Sequence, residues 1–355
     1  MSATARSAQT SGPYAGSPAK THAARGHVLP LSLGLTALLC LIVVAFAWPA
    51  TQLAPRSLPI VVAGPAEATA QMGAALETAA PGGFAVTAVA DEAAARAAIE
   101  RRDAYGAVVL GPTPSVLTAS AASPVVAQLL TQLAQTLEAR QPGAAAPTVR
   151  VVDVVALPST DPRGAGLGAL ALPLVLGGLI VGGALTTAIS GVGRRVLGAL
   201  LTAVFAGLAL TAIAHSWLGL LDGAWWSEAG VIALGIAAVG LTLVGLEALF
   251  GFVGLVLGAA VIMLIGNPFS GMTSAPEMLP TGWSTLGQWL PPGATGTLLR
   301  SVAFFDGAGA TRPLWILGGW VVLGLLLAAL GSRVHRRRAR QTARVVDAAA
   351  RPFPA

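Results

Sequence analysis

Glu247 sits within an otherwise uncharged apolar stretch, and a carboxylate at that depth in a bilayer is by default a candidate for moving protons or ions. It lies near the end of its stretch, where reaching the interface is the simpler role, and no second buried ionisable group accompanies it. The sole lysine is Lys20, so a phosphate-binding loop of the G-x-x-x-x-G-K-[ST] kind is absent. If ATP drives this protein, another polypeptide must hydrolyse it. The four histidines (His22, His27, His215, His335) are scattered, and His215, two residues from Trp217, reads as an interfacial residue. Cys40 is a lone thiol inside an apolar run and reads as a packing residue. Between Pro55 and Arg163 there is neither cysteine nor histidine, which excludes a disulfide framework and a His/Cys metal site there. The nine acids of that segment (Glu67, Glu77, Asp91, Glu92, Glu100, Asp103, Glu138, Asp153, Asp161) fall mostly at helix starts or exposed helical positions, with no nucleophile or base beside them. No enzyme and no cofactor are expected.

The elements that must carry these residues are set by composition. The chain has 355 residues, 55% hydrophobic and only 10% charged, with a mean hydropathy of +0.75. A soluble domain carries about 25% charged residues, so this chain cannot cover itself with a charged surface, and its excess belongs to a bilayer. Six apolar stretches, uncharged but for Glu247, approach the roughly 20 residues needed to cross about 30 Å of hydrocarbon: Val28 to Trp48, Leu167 to Ser190, Val196 to Ala214, Ala229 to Leu249, Phe250 to Gly266 and Pro313 to Gly331. The fourth and fifth run together, and at roughly 1.5 Å per residue their length calls for a tight hairpin near Gly245 to Gly254. The first resembles a secretory signal in its basic flank and its Ala45-Phe46-Ala47, but its apolar run exceeds the 7–15 residues of a signal core, so it is expected to be retained.

Basic residues set the orientation. Arg6, Lys20 and Arg25 precede the first stretch, Arg194 and Arg195 follow the second, and seven arginines (333, 336, 337, 338, 340, 344, 351) follow the sixth. With six spans these segments share one side, the cytoplasm, and both termini lie there. The tryptophans cluster at the opposite ends, as an interfacial aromatic belt does. The formal charge of +6 then records orientation, with attraction confined to anionic lipid, and nucleic acid is not an expected partner.

Residues 1–27 read as a disordered cytoplasmic tail and 332–355 as a basic one. Residues 55–163 read as a small extracytoplasmic α/β domain. Strands are predicted at Leu58 to Ala63, Phe84 to Val89, Tyr105 to Leu110 and Val149 to Leu157; helices are predicted from Gly64-Pro65, with Pro65 at the first helical position, after an Asp91 cap, and over Val125 to Arg140. Glu92, Arg96 and Glu100 stand at i,i+4 spacing. This order favours a partly parallel sheet covered by helices. Glycine pairs four residues apart (Gly164/Gly168, Gly178/Gly182, Gly254/Gly258) permit close helix approach, within the chain or across a homodimer seam.

Residues 267–312 follow the fifth stretch. Pro268, Pro276, Pro280, Pro291 and Pro292 cut them into apolar pieces too short to span, the pattern of re-entrant helices forming a lid on an outer mouth. Asn267-Pro268-Phe269-Ser270-Gly271, Pro276-Glu277-Met278-Leu279-Pro280 and Leu290-Pro291-Pro292-Gly293-Ala294, with Arg163-Gly164 and Leu172-Pro173 upstream, resemble the type-2 ABC exporter permeases. The chain is most similar to the branch with a large outer α/β domain between spans one and two, which includes phage-infection-protein-like membrane proteins. That resemblance implies a polytopic α-helical membrane protein with six transmembrane helices, a homodimer, a separate cytoplasmic ATPase subunit and an outer gate after span five. The gate candidates are Asn267, Pro268, Gly271, Pro276, Glu277, Pro280, Pro291 and Pro292. The function implied is a plasma-membrane permease subunit exporting an apolar or amphipathic substrate. The alternative is a non-transporting cell-envelope protein whose outer domain binds a partner, as a receptor or secretion accessory does.

Overall fold

A computed structural model describes residues 21–139 and 149–349. The chain divides into two compact units, residues 1–44 and 45–355. A helix, α1 (Thr21–Thr51), begins in the first unit inside the predicted tail, so residues 21–27 are helical rather than disordered; residues 1–20 lie outside the described residues. Its run Val28–Thr51 covers 24 residues, about 36 Å at 1.5 Å each, enough to cross a bilayer. Leu29, Leu31, Leu33, Leu39 and Val43 are all exposed along it, a surface stable only against an apolar medium.

The second unit opens with a five-stranded mixed sheet in the order β2-β1-β3-β4-β5. Its strands are β1 (Leu58–Ala63), β2 (Phe84–Val89), β3 (Gly106–Val109), β4 (Ser115–Thr118) and β5 (Arg150–Asp153). Only the β3–β4 pair is antiparallel. β4 was not expected: four residues behind Gly111-Pro112-Thr113-Pro114 are too few to show a period, yet all four are buried. The helices are α2 (Ala66–Ala79), α3 (Glu92–Glu100) and α4 (Pro124–Ala139). Pro65 caps α2 rather than starting it, and the Asp91 side chain accepts from the Ala94 amide at 2.8 Å, the predicted cap. Arg96 pairs with Glu92 one turn back at 2.7 Å.

Alternation along the strands buries both faces of the sheet. Leu58, Ile60, Val62, Val108 and Val116 pack with Leu76 of α2 and Leu130 of α4; each such side chain contributes roughly 1.5–3 kcal/mol by burial. Val61, Ala63, Ala107 and Leu117 face the other way, into a core that includes Ile99 of α3 and continues through Leu167, Ala171, Met272, Leu298 and Leu317 of the helical part. The sheet and the helices therefore share one core.

The helical part comprises α5 (Ala165–Ala169), α6 (Ala171–Ala188), α7 (Val192–Thr211), α8 (Trp225–Phe250), α9 (Phe252–Val261), α10 (Trp283–Trp289), α11 (Pro291–Phe304) and α12 (Thr311–Ala349). α5 and α6 form one span broken at Leu170, because Pro173 has no N–H for the Ala169 carbonyl. α8 is apolar all round between Glu228 and Glu247, the signature of a buried helix, and α6, α7, α9, α11 and α12 surround it. Small residues set the close approaches. A Cβ on Gly182 would meet Leu243 at 2.6 Å, one on Gly245 the Gly324 carbonyl at 2.5 Å, and Gly178 abuts Val239. The Gly178/Gly182 pair is thus filled from within the chain.

Five helices are long and apolar enough to cross a membrane: Val28–Thr51, Ala165–Ala188, Val192–Trp217, Trp225–Phe250 and Thr311–Ala343. The sixth expected span falls short. Gly251, at φ 68°, turns the chain back within the predicted hairpin, and the helix that follows, Phe252–Gly266, has 15 residues, about 22 Å against about 30 Å of hydrocarbon. α12 runs on through the expected basic tail as a helix to Ala349, carrying Arg333, Arg336 and Arg337. These arginines and the Arg194–Arg195 turn stand at one end of the bundle. The sheet, the α7–α8 turn and residues 267–312 gather at the other, where Thr160 donates to the Gly219 carbonyl and Arg102 to the Thr297 carbonyl at 3.0 Å.

Candidate functional site

Proline shapes residues 267–312 as the sequence predicts. Asn267 closes a π turn (Ile262–Gly266), and Gly271, at φ 69°, reverses the chain against Pro276; a Cβ there would lie 2.9 Å from the Pro276 nitrogen. Pro276 starts a 3₁₀ turn (Pro276–Met278), whose Met278 joins Ala275 in the core under the sheet. Pro291 and Pro292 begin α11, where a missing N–H leaves nothing unsatisfied. α11 is buried almost throughout and packs on α8, with Thr295 against Gly235. The Gln288 amide nitrogen donates to the Ser270 carbonyl at 2.7 Å, and its oxygen accepts from the Thr297 hydroxyl at 2.7 Å, which ties the three pieces together. Trp48, Phe269 and Trp283 form an aromatic cluster at its edge, with Phe269 and Trp283 stacked at 4.7 Å.

Polar chemistry concentrates where this segment meets the sheet. The Tyr105 hydroxyl, just ahead of β3, donates to the Glu277 carboxylate at 2.7 Å, and the Arg56 amide donates to the Glu277 carbonyl at 2.9 Å. Arg102 donates to Thr297 O at 3.0 Å and Ser301 Oγ at 2.6 Å, and lies over the Phe305 ring at 5.2 Å. Arg300 is 5% exposed and donates to the Met272 carbonyl at 2.7 Å. These groups border a cavity of about 240 Å³, to which Gln288 and Arg312 also contribute. Burial pulls the Arg300 guanidinium down to about 10, and Arg102 is lowered for the same reason. Tyr105 is raised, by burial first and then by the adjacent Glu277 carboxylate.

The gate candidates do not converge on one point. Pro276 and Glu277 border the polar cavity, whereas Asn267, Pro268 and Gly271 line an apolar one of about 510 Å³ with Phe46, Pro49 and Leu172. Asn267 and Pro292 also border a void of only about 10 Å³. Pro280 accepts from the Ser284 amide and Pro291 from the Thr295 hydroxyl. Glu247 stands at the opposite end of α8, paired with Arg195, which also donates to the Ile189 carbonyl at 2.7 Å. That ion pair accounts for the carboxylate without a proton relay. Arg195→Ala should cost about 1–3 kcal/mol by leaving Glu247 half-buried and unpaired, and adding Glu247→Ala should recover part of it; thermal unfolding of both variants in detergent checks this.

Sequence reading missed Arg102, Tyr105 and Arg300, though a lone arginine in the run Thr295-Gly296-Thr297-Leu298-Leu299-Arg300 was a usable signal. His215 read as an interfacial residue, and Glu228 lay just outside the predicted fourth span. Instead Glu228 is fully buried in the first turn of α8, accepting from the Gly223 amide and from His215 Nδ1, each at 2.8 Å. No protein-family model matches the chain, and no curated protein or solved structure does so either.

Proposed function

We propose that the chain is the permease subunit of an exporter, embedded in the plasma membrane with both termini in the cytoplasm and its α/β part outside. It moves an apolar or amphipathic substrate outward, as one half of a homodimer, while a separate subunit hydrolyses ATP. The observation that carries this reading is the fold of residues 267–312: short proline-broken helices held between the bundle and the sheet by Gln288, Glu277 and Arg102. Irregular backbone of this kind is tolerated at membrane depth only against protein or a cavity, and here it has both. Support also comes from the basic residues at the far end of the bundle, the side that cytoplasmic loops occupy. The short helix Phe252–Gly266 would reach the outer face only with the irregular segment completing it, as a sixth, interrupted span.

The shared core of sheet and bundle favours this reading over a non-transporting envelope protein whose outer domain binds a partner, because partner binding by that domain needs no such union. Affinity purification of the full chain from its native membrane tests it. Recovery of a stoichiometric ATPase is the expected result; a chain that purifies alone under conditions preserving other membrane complexes would oppose it.

A further inference from the structure

Arg300 is the most deeply buried cation in the described residues, and nothing neutralises it. Its Nε finds no acceptor, its one hydrogen bond goes to a neutral carbonyl, and no carboxylate comes within ion-pair distance. Burying an unpaired charge is costly, and the same deficiency recurs around it. Arg102 meets a carbonyl, a hydroxyl and the Phe305 ring but no carboxylate within ion-pair distance, and Arg312 lies over the Trp289 ring at 5.7 Å. All three border the cavity of about 240 Å³. Two acids border it too: Asp103 is already paired with Arg101 at 3.0 Å, and Glu277 is held by Tyr105 at 2.7 Å. Three guanidinium groups against the Glu277 carboxylate, the one acid there without a cationic partner, leave the cavity positive.

A second cavity of about 310 Å³ shares Glu277, Gln288 and Arg312 with the first and adds Arg56, whose guanidinium bonds only to carbonyls. Guanidinium groups are the preferred partners of planar and tetrahedral oxyanions. The first cavity is smaller than the roughly 300–1,000 Å³ of pockets for drug-sized ligands, a size suited to one anionic group.

We propose that this cavity, bordered by Arg102, Arg300 and Arg312, binds an oxyanion of the phosphate class, presented free in solution or on a lipid headgroup. The site goes beyond the permease reading and stands whether or not the chain exports a substrate. Arg300 and Arg102 supply charge from the buried wall, and Arg312 supplies it from the exposed rim.

The full-length protein in a neutral detergent and chloride buffer tests this with two probes, inorganic phosphate and dioctanoyl phosphatidylglycerol. Tryptophan fluorescence reports binding, since Trp289 contacts Arg312. Saturable binding of at least one probe is expected; phosphate alone identifies a free anion, and the lipid alone identifies a headgroup. Arg300→Gln keeps a donor for the Met272 carbonyl and should weaken binding at least tenfold, with Arg300→Lys, which keeps the charge, falling between. Arg312→Gln, at an exposed side chain, should weaken it severalfold even if the Arg300 variants do not fold, whereas Arg333→Gln at the far end should leave it unchanged. No saturable binding of either probe to the wild type, or equal binding by wild type, Arg102→Gln and Arg312→Gln, would overturn the proposal.

Discussion

Gly287→Ala is expected to destabilise the protein by at least about 2 kcal/mol and to dislodge the proline-broken segment. A Cβ at Gly287 would come closer to backbone, the Phe269 carbonyl, than at any other described glycine. Two effects oppose each other. Alanine is the better helix former by roughly 1 kcal/mol, but overpacking against rigid atoms costs about 1–3 kcal/mol and more where nothing can move aside. Backbone cannot swing away as a side-chain tip does, and Phe269 is itself pinned by Trp283 and Trp48. Overpacking therefore wins. Gly319→Ala in α12 is the control, because nothing lies within 4 Å of its Cβ position. Thermal unfolding in detergent should show a midpoint lower by several degrees for Gly287→Ala and one unchanged or slightly raised for Gly319→Ala.

Glu228→Ala is expected to cost about 2–4 kcal/mol. The carboxylate is fully buried and accepts from the Gly223 amide and from His215. Its removal leaves the amide, and with it the turn into α8, without an acceptor, and each buried unsatisfied group costs about 1–3 kcal/mol. The Gly223 turn has little room to adjust, since it packs directly on the Val302 carbonyl and Ala303 of α11. Glu228→Gln keeps an oxygen for Gly223 and should lose less than half as much. A Gln variant as unstable as the Ala variant would show that charge, rather than the hydrogen bond to Gly223, is what matters there.

The elements that long runs define were legible in the sequence. Leu58–Ala63, Phe84–Val89 and the Asp91 cap appear where expected, and Gly251 turns inside the anticipated hairpin. These depend on periodicity and on local turn chemistry, which a single sequence carries. The sixth expected span is not seen as one full-length helix, because apolarity marks what can lie in a bilayer but not where a helix stops; Phe252–Gly266 ends in a π turn before Asn267 and Pro268. β4 failed because four residues carry no period. Polar pairings were the least legible. Tyr105–Glu277 joins residues 172 apart and Arg102–Ser301 residues 199 apart, so tertiary packing alone creates them. Glu247 was legible as an exception to its stretch, but its partner Arg195 had been counted only as a mark of orientation.

The central claim is that residues 267–312 gate an outward path for an amphipathic substrate. Retention of a fluorescent amphipathic dye in cells lacking the gene, complemented with wild type or with Pro276→Ala/Pro280→Ala/Pro291→Ala at matched membrane abundance, tests it most directly. The account predicts that deletion raises retention, wild type restores efflux and the triple variant does not. Equal retention in the deleted and complemented cells, across a panel of cationic, neutral and anionic dyes, would contradict it.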